Sequence, residues 1–140
     1  MPVRGIRGAI TADANDTEAI VDATERLLRE LVSLNQLDVE EIALAYFTTT
    51  SDLDAEFPAL GARRLGWVDV PLLCGPEMTV RQPNARGVPM CIRVLLLYNT
   101  DRLQREMRHA YLRGATAIKT DLDAMRSQLW ALVRGEAVEP

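Results

Sequence analysis

Residues 90–98 of the chain read MCIRVLLLY, and every residue in this stretch except Arg93 is hydrophobic. Side chains alternate between the two faces of a strand, so apolar groups here occupy both faces. This pattern is typical of a central strand that is covered on both sides. The stretch therefore predicts a sheet built around residues 90–98, and the segments on either side supply its partners.

Four further segments favour strands because they are rich in β-branched and apolar residues. They are residues 3–12, 42–50, 70–74 and about 110–119. Residues 81–89 (RQPNARGVP) contain two prolines, a glycine and an asparagine, so they predict a loop.

Apolar residues at helical spacing predict a helix from Asp16 to about Ser33, with Asn15 as its cap and Glu18 three residues later. Pro58 opens a short helix that ends near Leu65. Residues 101–109 form a turn or a short helix. A last amphipathic helix, capped by Thr120 or Asp121, spans about 121–134 and stops at Gly135.

These elements predict a single α/β (α+β) domain over residues 1–140, with a mixed sheet, helices packed on one face and a short tail at 135–140. At 140 residues the chain has room for one core. Sixteen basic against twenty acidic residues give a net charge of −4, which argues against nucleic-acid binding. The longest wholly apolar run, residues 94–97, falls far short of the roughly 20 residues of a membrane span.

The composition also narrows the chemistry. Arg4 and Arg7 interrupt the N-terminus, no apolar signal segment follows, and two cysteines are too few for a disulfide scaffold, so we expect a cytoplasmic protein. His109 is the one histidine, which makes a protein-built zinc site or a Ser-His-Asp triad improbable. Neither GxxxxGK[ST] nor GxGxxG occurs.

Arg93 is the most informative residue because it interrupts an apolar strand. A buried guanidinium must be neutralised, either by an internal carboxylate as a structural ion pair or by an anionic ligand in a pocket. Arg7, between Gly5 and Gly8, presents the same choice between an edge-strand charge and a ligand-binding cation. Glu77 and Tyr111 each have a structural alternative, as a solvated loop carboxylate and as a core tyrosine.

Two other candidates receive little support from the sequence. Cys74 as a nucleophile has no histidine near it, and His109 as a general base has no partner in the pattern. An enzyme with this residue set would work by positioning and electrostatics.

Five segments match in order a family pattern: RGIRGA at 4–9, DLDAEFPALGARRLGW at 52–67, VPLLCGPEM at 70–78, CIRVLLL at 91–97 and RHAYLRGA at 108–115. Together they resemble the AroH-type, Bacillus-type monofunctional chorismate mutases. The resemblance implies a trimeric pseudo-α/β-barrel whose three active sites lie at subunit interfaces. It also implies an isomerase that rearranges chorismate to prephenate in aromatic amino-acid biosynthesis, without cofactor or metal.

The resemblance assigns roles to particular residues. Arg93 matches the arginine that faces the ether oxygen, Arg7 and Tyr111 match groups that contact substrate carboxylates, and Glu77 matches the acceptor of the ring hydroxyl. The remaining substrate-binding positions, in the pocket wall and mouth, are Phe57, Ala59, Arg63, Leu73, Cys74, Ile118 and Lys119.

Three positions depart from the family pattern. Leu60 replaces a lysine, Leu73 replaces a threonine and Lys119 replaces an arginine, which keeps the charge but loses the bidentate fork. We expect these differences to affect substrate affinity more than the chemistry. The alternative is a trimer of the same architecture that binds a small carboxylate without catalysis, or deaminates imines as RidA-like proteins do.

Overall fold

The computed structural model describes residues 1–82, 85 and 87–135. The strands within them are β1 (Val3–Thr11), β2 (Ile42–Thr49), β3 (Leu72–Pro76), β4 (Cys91–Asn99) and β5 (Ala110–Leu112). The α-helices are α1 (Thr17–Asn35), α2 (Ala59–Arg64) and α3 (Thr116–Val133). Short 3₁₀ segments span Val39–Glu41, Gln104–Glu106 and Arg113–Ala115.

The five strands form one mixed sheet in the order β3-β2-β4-β1-β5. β4 lies in the centre and runs antiparallel to both β1 and β2. The outer strands β3 and β5 run parallel to β2 and β1. The prediction of a mixed sheet around residues 90–98 is therefore confirmed.

One face of the sheet, the inner face, carries the main core. Ile92, Val94 and Leu96 of β4 are buried there together with leucines 27, 28 and 31 of α1. Gly8 allows α1 to approach closely, since a Cβ at this position would lie 2.9 Å from Cδ1 of Leu31. α1 thus covers this face as the sequence predicts.

The opposite face, the outer face, is covered only in part. Ala9 and Cys91 are buried there beneath Ala115 and Ile118 at the start of α3. The sequence predicts helices on one face of the sheet, and the structure places α3 on the second face as well. Leu95, further along β4, is still exposed. Arg93 shares this face, so its surroundings are more open than a strand covered on both sides would give.

The cap of α1 differs from the sequence prediction. Asp16 immediately precedes the first helical residue, and its Oδ1 accepts the backbone N–H of Ala19 at 2.8 Å. Asn15 instead binds the 54–55 backbone, its Oδ1 accepting the N–H groups of Asp54 and Ala55 at 3.0 Å each. Its Nδ2 also donates to Oδ1 of Asp54 at 2.8 Å.

The strand predicted at 110–119 is wrong beyond Leu112. Arg113 has φ +54°, a left-handed conformation that ends an extended strand, and α3 begins at Thr116. Thr120 and Asp121 therefore lie inside the helix rather than at its cap.

Other boundaries shift less. The strand predicted at 70–74 lies at 72–76. Residues 83, 84 and 86 of the predicted loop, and 136–140 of the predicted tail, lie outside the described residues. None of the helices described is long and apolar enough to cross a membrane.

Candidate active site

Arg93 and Glu77 form an ion pair on the outer face of the sheet. The Nε atom of Arg93 lies 3.6 Å from Oε2 of Glu77. The Arg93 side chain is 41% exposed and that of Glu77 28%, so the expected burial of the guanidinium is not observed in a single chain. Arg93 therefore has the carboxylate partner that the first alternative predicts, and its side chain still faces open space.

Glu77 is held by β2 rather than by its own loop. Its backbone N–H donates to the carbonyl of Thr49 at 2.9 Å, immediately after β3 ends. Its Oε2 accepts a hydrogen bond from the Thr48 hydroxyl at 2.5 Å. Sequence reasoning missed Thr48, although strand alternation from the buried Phe47 would have placed it on the outer face.

Register explains why distant residues meet. Thr48 pairs with Arg93, Arg93 pairs with Ala9, and Ala9 pairs with Tyr111, so the four lie in one row across the sheet. Ala9 is the smallest member of the row and separates Arg93 from Tyr111. A pocket of about 220 Å³ opens over this part of the sheet.

Three of the four predicted catalytic residues line this pocket, which we call the central pocket. They are Arg7, Arg93 and Tyr111. Thr48, Tyr46, Ile118 and Leu122 are also among its lining residues. The fourth, Glu77, lines an adjoining pocket of about 760 Å³ that shares Arg93. The structure therefore brings the four predicted residues together around Arg93.

A further pocket of about 360 Å³ lies between α3 and the β1–β5 edge, and we call it the edge pocket. It shares Arg7, Tyr111 and Leu122 with the central pocket, so the two pockets adjoin. Its other lining residues are His109, Lys119, Asp123, Met125, Arg126 and Leu129. The predicted binding residue Lys119 thus belongs to this pocket.

Several predicted wall residues lie away from the central pocket in the fold. Phe57 and Cys74 line a pocket of about 380 Å³ beside β3. This strand lies at the opposite edge of the sheet from β1 and β5, which carry Arg7 and Tyr111. Phe57 is 70% exposed and Leu73, on β3, is 65% exposed. One chain therefore presents these side chains outwards instead of enclosing the central pocket with them.

Cys74 does not have the environment of an activated nucleophile. Burial raises the pKa of its thiol, and a hydrogen bond with the backbone of Ala59 offsets this effect only in part. The neutral thiol is therefore favoured at neutral pH. Ala59, the first residue of α2, is thus a neighbour of Cys74.

Arg63 is occupied by its own loop. Its Nη1 donates hydrogen bonds to the carbonyls of Val68 at 2.9 Å and Val70 at 3.2 Å, and also to that of Trp67. The side chain therefore ties the end of α2 to the segment that leads into β3.

His109 has a structural partner that the sequence did not reveal. Its Nδ1 accepts the backbone N–H of Arg7 at 2.9 Å, which joins the start of β5 to β1. Burial, followed by the positive charges of Arg7 and Arg126, lowers the pKa of His109. The imidazole is therefore neutral at neutral pH, and its acceptor nitrogen is already in use.

Among the described residues, no group of three or more His, Cys, Asp or Glu side chains is arranged to hold a metal ion. The row from Thr48 to Tyr111, together with Arg7 and Glu77, places two arginines, a tyrosine and a carboxylate around two adjoining pockets that share Arg93. Such a site suits a small anionic molecule.

Comparisons with known proteins identify the family to which the chain belongs. The chain matches the family model Chorismate mutase type I over residues 3–122. It is 45% identical over 123 residues to chorismate mutase AroH of Thermus thermophilus, covering 87% of this chain and 98% of that protein. It is 36% identical over 128 residues to chorismate mutase AroH of Bacillus subtilis (strain 168), covering 91% and 98%.

A solved structure, the chorismate mutase Cth-682 from Clostridium thermocellum, superposes with a TM-score of 0.75 and 41% identity. The alignment covers 80% of this chain and 96% of that one. The chain belongs to the chorismate mutase type I family. The family resemblance inferred from the five motifs is thereby confirmed.

Proposed function

We propose that this protein is an isomerase that converts chorismate to prephenate by an intramolecular Claisen rearrangement, in aromatic amino-acid biosynthesis. The observation that carries the proposal is the Arg93–Glu77 pair beside Arg7 and Tyr111, in a chain that matches the family over residues 3–122. Chorismate has two carboxylates and a ring hydroxyl, and this residue set offers cations for the former and an acceptor for the latter.

Arg93 supplies the main catalytic effect. The rearrangement breaks the ether C–O bond of the substrate while a new C–C bond forms, and negative charge develops on the ether oxygen. A guanidinium facing that oxygen interacts more strongly with the transition state than with the substrate, which lowers the barrier. Glu77 and the strand hold Arg93 in place, so little reorganisation accompanies the reaction.

The other residues bind and orient the substrate. Arg7 grips one carboxylate, Tyr111 contacts the carboxylate of the enolpyruvyl arm, and Glu77 accepts the hydrogen bond from the ring hydroxyl. Holding both arms near each other favours the reactive conformation. The proposed pocket wall and mouth consist of Phe57, Ala59, Arg63, Leu73, Cys74, Ile118 and Lys119.

The proposed assembly is a homotrimer with a site at each subunit interface. Phe57 and Leu73 are largely exposed in one chain, and they lie near the β3 edge of the sheet, opposite the edge that carries Arg7 and Tyr111. A second subunit that packs its β3 side against the open face of the first would cover both sets. Residues 1–140 would then act as one domain per subunit.

We propose a cytoplasmic location and a reaction that needs no added cofactor. The location is supported by the free thiols of Cys74 and Cys91, which suit a reducing compartment. Cofactor independence is supported by the rearrangement itself, which transfers no electrons, hydride or group to an outside acceptor.

The alternative function is a small-carboxylate binder, or a RidA-like imine deaminase, with the same architecture. Glu77 opposes plain carboxylate binding, because a second negative charge beside the ligand would weaken it. The comparisons give no support to this alternative.

The decisive experiment mixes purified protein with chorismate and follows the loss of its ultraviolet absorbance, with acid conversion of prephenate to phenylpyruvate as product check. We expect rapid turnover that persists with a metal chelator and is lost in Arg93→Ala. Saturable binding of chorismate without turnover would overturn the proposal and favour the binder.

A further inference from the structure

The edge pocket carries more positive charge than the family motifs account for. Arg7, Lys119 and Arg126 line it, against one carboxylate, Asp123. The influence of Arg7 and Arg126 also reaches His109 at the same pocket, because both lower the pKa of its imidazole. The pocket is therefore an electropositive extension of the central pocket.

The helix α3 positions Arg126 at the edge pocket. It follows Lys119 by seven residues, and positions separated by two helical turns share a face. The helix continues unbroken from Ile118, which is buried against the sheet, to Val133. Ile118 therefore anchors the helix and sets the direction in which Arg126 projects.

Arg126 also lies beyond the residues that the family model matches. The family model matches residues 3–122, whereas α3 runs to Val133. Within residues 1–82, 85 and 87–135, no carboxylate lies within ion-pair distance of its guanidinium. Its charge is therefore available to an anion that enters the edge pocket.

We propose that Arg126, in the part of α3 beyond residue 122, binds a substrate carboxylate in the edge pocket and so acts as a substrate-binding residue. The inference rests on the proposed function. A guanidinium can pair with a carboxylate through two parallel hydrogen bonds, whereas the ammonium group of Lys119 acts as a point charge. Arg126 thus restores, two turns along the helix, the fork that Lys119 lacks.

The test compares Arg126→Ala and Arg126→Lys with a matched control, Arg29→Ala. Arg29 is an exposed cation of α1, which packs on the inner face, so its removal changes the net charge equally without touching the pocket. Alanine is the best helix former, so Arg126→Ala leaves α3 intact.

Steady-state kinetics with chorismate should show a KM roughly 10- to 100-fold higher in Arg126→Ala, because a charge-assisted hydrogen bond to the substrate is lost. The kcat should stay within about twofold, since the carboxylate interaction is the same in substrate and transition state. Arg126→Lys should fall between wild type and alanine, and Arg29→Ala should match wild type. Added salt should raise the KM of wild type more than that of Arg126→Ala.

The outcomes separate the two proposals. If wild type turns over chorismate but Arg126→Ala has the KM of Arg29→Ala, this inference is overturned and the proposed function stands. A loss of kcat at unchanged KM also overturns it, because Arg126 would then not act by binding. If wild type neither converts nor binds chorismate by calorimetry, the proposed function itself fails, and the inference fails with it.

Discussion

Thr48 and Arg93 are direct partners in the register of β2 and β4, and both side chains approach the same oxygen of Glu77. The Thr48 hydroxyl donates to Oε2 at 2.5 Å, and Nε of Arg93 lies 3.6 Å from it. Glu77 is therefore oriented from two strands before any substrate arrives. Such support lets a carboxylate act as an acceptor without a rotamer search at each turnover.

Thr48→Val should lower kcat/KM about tenfold. The change keeps the β-branched shape of the side chain but removes the hydrogen bond to a charged carboxylate, which is worth about 1.5 kcal/mol. Steady-state kinetics with chorismate measure the effect. Thr17→Val, the same chemical change at the start of α1, serves as the control. Equal kinetics for the two variants would show that Thr48 does not position Glu77.

Arg93→Ala should keep the oligomeric state of the wild type and lose activity mainly in kcat, by at least about 10²-fold, as expected when a preorganised donor to developing charge is removed. Replacement of Arg93 by citrulline, a neutral analogue of similar shape, should be nearly as damaging because the charge is the active property. Gel filtration and kinetics on the same samples give the two readouts. Normal turnover in either variant would contradict the assigned role.

The stability of the protein should depend on pH through His109. Its pKa in the fold is lowered from the ordinary value of 6.5, so the unfolded chain binds the proton more readily. The contribution of His109 to the free energy of unfolding should therefore be constant above about pH 7.5, where the imidazole is neutral in both states, and should decrease as pH falls through 6.5. Urea denaturation at pH 7.5 and 5.5 measures the loss.

The matched variant is His109→Asn, whose side-chain oxygen can still accept the N–H of Arg7. It should lose less stability than wild type between these two pH values, because the remaining titrating groups are common to both proteins. An identical loss in the two proteins would mean that His109 does not titrate differently in the fold.

Gly8→Ala should destabilise the fold by about 1–3 kcal/mol, the usual cost of overpacking a core. The new Cβ would lie 2.9 Å from a methyl group of Leu31 and 3.1 Å from one of Leu27, so these buried side chains or α1 itself must shift. Gly5→Ala, on the same strand, meets its nearest atom at 3.8 Å and should change stability by less than about 0.5 kcal/mol. Thermal or urea unfolding of the pair tests this, and equal effects would contradict the close packing of α1 on β1.

The central strand could be predicted because its hydrophobic pattern is long and interrupted once, at Arg93. The partial exposure of Arg93 could not be predicted, because a strand pattern does not show how far a helix extends over the second face of the sheet. The end of β5 was missed for a similar reason. Arg113 takes a left-handed backbone conformation there, and the local sequence favours an extended strand through it.

The grouping of Arg7, Arg93 and Tyr111 around one pocket follows from the family motifs and from strand register together. Thr48 carries no motif of its own, and its role appears once β2 is aligned with β4. Arg63 shows the reverse case, since its motif predicted a substrate contact while its hydrogen bonds close the loop after α2. The individual roles remain predictions until the variants are measured.

Because Asp16 caps α1, the side chain of Asn15 is able to bind elsewhere. Its Oδ1 accepts the backbone N–H groups of residues 54 and 55, just before Phe57. The segment that carries this aromatic side chain is therefore ordered when the chain folds, although Phe57 itself stays exposed. In the proposed trimer, Phe57 would therefore contact a neighbouring subunit with little conformational entropy left to lose. If this trimer forms, removal of the Asn15 hydrogen bonds would slow its assembly, although Asn15 lies outside the proposed site around Arg93.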